Sequence, residues 1–83
     1  IDQTFNGLIM SVQSYGFFVE LPDLFVEGLV HVSTLNDDWY EYRSRQNLLV
    51  GRKSKNTFRV GEHITIKIIK VDILKYQIDL EIA

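Results

Sequence analysis

The 83-residue sequence contains no cysteine and only one proline. Without cysteine, neither a disulfide nor a thiolate zinc site can hold the fold together, and a reducing compartment such as the cytoplasm is expected. No apolar stretch approaches the roughly 20 residues of a membrane-spanning helix, so no membrane is expected as a partner. Hydrophobic residues nevertheless make up 46% of the chain, which suffices for one modest core.

The chain begins Ile1-Asp2-Gln3-Thr4, with no initiator methionine and with neither the basic start nor the apolar run of a signal peptide. At this length the chain holds a single domain. We therefore expect residues 1–83 to be one domain of a longer polypeptide, and a monomer when isolated.

The charges are unevenly distributed, although acids outnumber bases by only 11 to 9. Six of the nine basic residues lie in a segment without any acid: Arg43, Arg45, Arg52, Lys53, Lys55 and Arg59. The acids concentrate earlier, at Asp2, Glu20, Asp23, Glu27, Asp37, Asp38 and Glu41. We interpret the basic segment either as a solvated surface or as a region that neutralises phosphates.

Alternating apolar and polar residues, with turn residues between them, predict short antiparallel strands rather than helices. The five predicted strands are residues 4–13, 16–21, 27–32, 63–72 and 77–82. Gly7 inside the first strand predicts a bulge or bend there. The second strand is expected to end at Pro22-Asp23, and a short helical turn is expected at 33–35.

The fourth strand places Ile64, Ile66 and Ile68 on one face. The alternation then slips at Ile68-Ile69, which predicts a bulge after which Ile69 and Val71 continue inward.

The segment 36–60 is irregular, polar and basic, and a small hairpin is predicted inside it around Tyr40, Tyr42 and residues 48–50. Five strands with a long connection between the third and the fourth are the layout of an OB-fold barrel. The fold class predicted is therefore all-β, a five-stranded antiparallel OB-fold barrel with a long basic loop.

Three ring-bearing residues are candidates for binding nucleic acid. Tyr15 stands at the turn into the second strand, Phe18 lies on the face opposite Phe17 and Val19, and His31 lies on the neighbouring strand. Exposed rings stack on bases whatever the base. Alternatively, Phe18 packs under the long loop and His31 makes a structural hydrogen bond.

Motifs of catalysis are not found. The run Gly51-Arg52-Lys53-Ser54 has its Lys and Ser out of register for a phosphate-binding loop, and the pair Asp37-Asp38 lacks the further carboxylates of a two-metal nuclease site. His63 is the only other histidine. We expect no catalytic residue, no metal and no cofactor.

The order and spacing of several motifs resemble the S1 RNA-binding domain family. They are Gly7-Leu8-Ile9, Tyr15-Gly16-Phe17-Phe18-Val19, residues 27–33 (EGLVHVS), Gly61-Glu62 and Val71-Asp72. The stretches 21–31, 36–40 and 55–61 are similar to the S1 domain of ribonuclease R, a processive 3′-to-5′ exoribonuclease of the RNase II superfamily. The catalytic domain of that family lies N-terminal to its S1 domain.

The resemblance implies a set of RNA-binding residues. Tyr15 and Phe18 match the two exposed aromatics of the S1 face, His31 its histidine, and Asp72 the acid that ends the fourth strand. Many S1 domains also have a basic residue where this chain has Gln77, so weaker binding is expected. Lys70 or Lys75 could substitute for it. The full set expected is Tyr15, Phe18, His31, Arg59, Lys67, Lys70, Asp72 and Lys75.

The function expected is a non-catalytic, sequence-tolerant module that binds single-stranded RNA and assists substrate capture by the rest of a parent exoribonuclease. The alternative is an OB-fold protein-docking module of a translation- or ribosome-associated protein, which the acidic surplus would suit.

Overall fold

The computed structural model describes residues 3–22 and 24–83. Two of the acids named above, Asp2 and Asp23, therefore lie outside the described residues. Asp23 is also one of the two residues at which the second strand was expected to end. The elements are β1 (Thr4–Gln13), β2 (Gly16–Leu21), β3 (Val26–His31), a 3-10 turn (Val32–Thr34), β4 (Tyr40–Arg43), β5 (Leu48–Gly51), β6 (Thr57–Arg59), β7 (His63–Asp72) and β8 (Gln77–Ile82). In the part of the chain so described, no helix is long and apolar enough to cross a membrane.

Five of the strands close into a barrel in the order β1-β2-β3-β8-β7. The predicted five-stranded barrel is thus confirmed. Strand directions cannot alternate all the way round a ring with an odd number of members, so one neighbouring pair must be parallel. That pair is β3 and β8, joined at Leu29–Asp79 and Val30–Leu80, and the antiparallel prediction holds for the other ladders.

The alternation of β2 sets the barrel's interior. Phe17, Val19 and Leu21 are buried, whereas Phe18 and Glu20 face outward and are only half-buried. The remaining buried barrel residues come from the other four strands: Ile9, Val12, Val30, Ile66 and Leu80. A closed interior leaves the outer face of β2 and β3 free for other contacts.

The sequence suggested a bulge or bend at Gly7, but the bulge of β1 lies elsewhere. The register between β1 and β2 shifts between Ile9 and Ser11. Gly7 lies in regular ladder opposite Ile64, and a Cβ there would overlap the side chain of Val19. Glycine is needed at this position for close packing and not for a bend.

The bulge of β7 is confirmed, since its register shifts between Ile68 and Lys70. The expected inward continuation is wrong, because Ile69 is 48% exposed and Val71 56% exposed. Here β7 and β8 run past the short β3–β8 ladder, so the positions beyond the bulge have no closed interior to face.

The segment predicted as a long loop contains a second antiparallel sheet in the order β4-β5-β6. The predicted hairpin is its β4–β5 pair, and β6 was not anticipated. Phe58 of β6 stacks on Phe17 with ring centroids 5.0 Å apart, and it also packs on Tyr40. The sheet therefore covers the end of the barrel where β2 begins.

Candidate nucleic-acid interface

Tyr15, Phe18 and His31 share the outer face of β2 and β3. Tyr15 is 45% exposed, and its ring meets that of Phe18 edge to face at a centroid distance of 6.3 Å. Register pairs Gly16 with His31 and Phe18 with Leu29. Gly16 has no side chain, which lets the backbone of β2 approach Val30 and His31 closely. We call Tyr15, Phe18 and His31 the aromatic platform.

His31 has a structural hydrogen-bonding role as well as an exposed ring. Its Nδ1 accepts from the backbone N–H of Ser33 at 3.1 Å and lies 2.9 Å from the Ser33 hydroxyl, which caps the 3-10 turn. A backbone N–H can only donate, so Nδ1 must be the unprotonated nitrogen and the neutral ring carries its proton on Nε2. The cap fixes the ring's orientation.

A groove of about 840 Å³ extends the aromatic platform toward the β7–β8 turn. Phe18 and Leu29 line one side of it, and Asp72, Lys75 and Tyr76 are among the residues on the other. The Asp72 carboxylate accepts from the backbone N–H of Lys75 at 3.2 Å, which holds the turn closed. Phe18 thus belongs to both the aromatic platform and the groove.

Gln77, which stands where many S1 domains have a basic residue, also lines this groove. Its amide nitrogen donates to Asp79 at 3.1 Å. Lys75 lines the same groove and Lys70 does not, since Lys70 lies in a separate depression beside Phe5. Of the two substitutes that the sequence suggested for the missing cation, the structure brings only Lys75 to the groove.

Two further predicted RNA-binding cations are paired with carboxylates. Lys67 lies 2.9 Å from Glu81, and Arg59 lies 3.5 Å from Glu62. Exposed pairs of this kind are weak and exchange readily. Neither cation reaches the groove, so both lie apart from the residues that the structure gathers around Phe18.

A turn of the second sheet presents the basic run 52–55. The Asp38 carboxylate accepts from the backbone N–H groups of Lys53 and Ser54, at 2.9 and 2.8 Å, and from the Ser54 hydroxyl. The backbone bond from Ser54 is the main reason that the pKa of Asp38 falls from its usual 3.8 to about 2. The carboxylate orders this turn, which we call the basic turn.

Asp37, the other member of the acidic pair, accepts from the Tyr40 hydroxyl at 3.0 Å. Burial and the nearby Asp37 charge raise the pKa of Tyr40. Asp37 and Asp38 are therefore engaged in local structure. Among the described residues, no group of three or more His, Cys, Asp or Glu side chains is arranged to hold a metal ion.

The outer face itself is more acidic than basic. Glu20 and Glu27 are opposite each other in the β2–β3 ladder, and Asp79 is beside Leu29. Carboxylates repel phosphates, so the face suits bases, and the basic turn is better suited to the backbone of a nucleic acid. The sequence did not indicate the groove, because its residues come from four strands, β2 and β3 early in the chain and β7 and β8 near its end, with the turn between the last two.

Comparison with known proteins agrees with this geometry. The sequence matches the family described as S1 RNA binding domain over residues 1–83. A Synechocystis protein named "Acetazolamide conferring resistance protein zam" is 58% identical over 78 residues, 94% of this chain and 10% of that protein. Escherichia coli ribonuclease R is 38% identical over 82 residues, 99% of this chain and 10% of that protein.

Among solved structures, Mycoplasma genitalium RNase R in complex with ribose methylated single-stranded RNA superposes with a TM-score of 0.90. It is 25% identical, and the match covers 100% of this chain and 13% of that one. The chain spans about a tenth of the length of the curated relatives it matches.

Proposed function

The chain belongs to the S1 RNA-binding domain family, and on that basis we propose that it binds single-stranded RNA for a 3′-to-5′ exoribonuclease of the ribonuclease R type without doing chemistry itself. The carrying observation is the aromatic platform, three ring-bearing residues held outward beside one another on a closed barrel. An aromatic ring exposed to water lacks the favourable free energy of burial, and it obtains that free energy when a base stacks on it.

In this proposal the bases stack on Tyr15, Phe18 and His31, while Asp72 and Lys75 contact the strand in the groove. Arg59, Lys67 and Lys70 serve as outlying phosphate contacts, the first two by exchanging a carboxylate partner for a phosphate. Stacking tolerates every base, so the aromatic platform is expected to be sequence-tolerant.

The parent protein supplies the hydrolytic centre, and the module improves capture of its substrate. The ribonuclease R relatives support this arrangement over a protein-docking module. We further propose that the isolated domain is a cytoplasmic monomer that needs no cofactor.

The test is the double variant Phe18→Ala/His31→Ala, titrated with a short oligouridylate and followed by amide chemical shifts. Each lost stacking contact removes about 1–3 kcal/mol, so the loss of two is expected to lower the affinity by about thirtyfold or more. The unliganded amide spectrum should keep the dispersion of a folded barrel, because neither side chain belongs to the buried core.

The matched control is Phe25→Ala/His63→Ala. It removes the same two side-chain types from exposed positions outside the aromatic platform and the groove, and its affinity should equal that of the unaltered domain. An unchanged affinity in the Phe18/His31 variant would refute the assignment.

A further inference from the structure

The groove beside the aromatic platform exists because two ladders end at different heights. β3 and β8 are joined only at Leu29–Asp79 and Val30–Leu80, whereas β7 and β8 remain paired down to Asp72–Gln77. The β7–β8 hairpin therefore continues past the end of the parallel ladder and stands away from the start of β3. The resulting space of about 840 Å³ has ample room for one nucleobase.

The two sides of the groove offer flat apolar surface. Phe18 and Leu29 lie on the barrel side, and Ile73 and Tyr76 lie on the turn. Tyr76 is 94% exposed, at a backbone φ of +53°. A positive φ is unfavourable for a residue other than glycine, and a fully solvated aromatic ring gains nothing from burial. A turn that only connects two strands needs neither feature.

The polar groups in the groove are mostly hydrogen-bond acceptors. The Asp72 and Glu27 carboxylates line it, and so does the amide of Gln77, whose carbonyl oxygen is an acceptor and whose nitrogen gives one of its two N–H donors to Asp79. One oxygen of Asp72 accepts from the Lys75 backbone, but a carboxylate has about four acceptor sites and can accept more bonds. Among the described residues that line the groove, Lys75 is the one cation.

A groove with these groups is unsuited to a phosphate, which two carboxylates would repel. It suits the edge of a base that offers N–H donors. The four RNA bases differ in this respect, because each presents its own pattern of donors and acceptors.

We propose that the groove is a nucleobase subsite that selects guanine, with Asp72 as the specificity-determining residue. Guanine carries the N1–H and the 2-amino group side by side, which match the two oxygens of one carboxylate, and its O6 faces the Lys75 ammonium. Adenine and cytosine each offer one amino group beside a ring acceptor. Uracil offers a single N–H between two carbonyl oxygens, which a carboxylate repels.

This inference rests on the proposed RNA-binding function and refines it at one nucleotide. The aromatic platform accepts any base, and the groove at its end adds a preference. An RNA that places a guanine there gains hydrogen bonds that an all-uracil strand does not.

The test compares six-nucleotide RNAs that are all uridine or carry a single internal guanosine, adenosine, cytidine or inosine, titrated into the unaltered domain at low salt. The guanosine oligomer is expected to bind about tenfold more tightly than hexauridylate, the discrimination of one bidentate contact. Inosine lacks the 2-amino group and should fall between them. The amides of Gly28, Ile73 and Gln77 should shift more with guanosine than with uridine.

The decisive variant is Asp72→Asn, with Asp37→Asn as a control that makes the same change of charge outside the groove. Asp72→Asn should abolish the difference in affinity between the guanosine oligomer and hexauridylate, while Asp37→Asn should retain it. Equal affinities for the guanosine and uridine oligomers, or a preference that survives Asp72→Asn, would overturn the subsite. Failure of every oligomer to bind would instead refute RNA binding by the domain as well.

Discussion

His31 serves the fold through one ring nitrogen and faces outward with the rest of its ring. Nδ1 caps the 3-10 turn through Ser33, so the structural interpretation of this residue is correct. The same cap orients an exposed ring beside Tyr15 and Phe18. The two interpretations suggested by the sequence are therefore compatible, and a fixed ring loses less entropy when a base stacks on it.

Gly16 makes the aromatic platform possible at the level of the backbone. Its φ is +152°, and a Cβ there would overlap the carbonyl oxygen of Val30 on β3. Any side chain at this position would push β2 from β3 beside His31.

Gly16→Ala is therefore expected to destabilise the domain by about 2–3 kcal/mol, through backbone strain and steric overlap together. The measurement is urea unfolding, with a lower midpoint and an unchanged slope. Gly61→Ala is the control: Gly61 has a φ of +92°, but a Cβ there would meet no described atom within 4 Å, so only the strain cost of about 1 kcal/mol applies. Equal losses in the two variants would show that the contact with Val30 is unimportant.

At the level of elements, strands with a clear alternation were predicted with their observed bounds. β1, β2, β7 and β8 begin and end where the pattern places them, because one buried face forces a period of two. The predictions were wrong where a residue's environment depends on a neighbouring strand, which the local sequence pattern does not show. Gly7 is required by the nearness of Val19, and Val71 is exposed because the barrel has ended beside it.

β6 was missed for a related reason. It has only three residues, Thr57–Arg59, and a single apolar one among them. Such a segment carries no periodic signal, and Phe58 is held by its contacts with Phe17 and Tyr40. The basic segment is thus an ordered sheet whose turn is fixed by Asp38.

Asp38→Asn is expected to loosen the basic turn without unfolding the barrel. Amide hydrogen exchange at Lys53 and Ser54 should accelerate about tenfold, since an ordinary hydrogen-bond strength is lost. Asp37→Asn, which alters the adjacent residue but no bond to the turn, should leave both amides protected.

The same bonds predict a pH dependence. The pKa of Asp38 is lowered to about 2 in the folded protein from its usual 3.8, so its contribution is fully present above the usual value and is lost as the pH falls through about 2. Protection of the Lys53 and Ser54 amides should therefore persist at about pH 3. Loss of protection near pH 4 would contradict the assigned bonds.

For the molecule as a whole, topology gathers what the sequence separates. The groove joins residues from β2, β3 and the β7–β8 turn, and it depends on where a parallel ladder stops. The length of the β3–β8 ladder cannot be predicted from the alternation of residues within either strand. The aromatic platform could be predicted from alternation within β2 and from its resemblance to S1 domains, whereas the groove required the assembled barrel.

The acidic and basic side chains also lie on different parts of the molecule. Glu20, Glu27 and Asp79 lie on the outer face of β2, β3 and β8, whereas the basic turn belongs to the second sheet and does not line the groove. A strand that stacks on the aromatic platform would meet few cations. We expect about two or three phosphate contacts, and hence a slope near −2 for the logarithm of affinity against the logarithm of salt concentration.

The most direct test of RNA binding at this face is to map amide chemical shifts while hexauridylate is titrated into the domain at low salt. We expect saturable shifts concentrated at Tyr15 to Phe18 and at Leu29 to His31, weakening with added salt. No shifts at low salt, or shifts concentrated on the side of the barrel formed by β1 and β7, would contradict it.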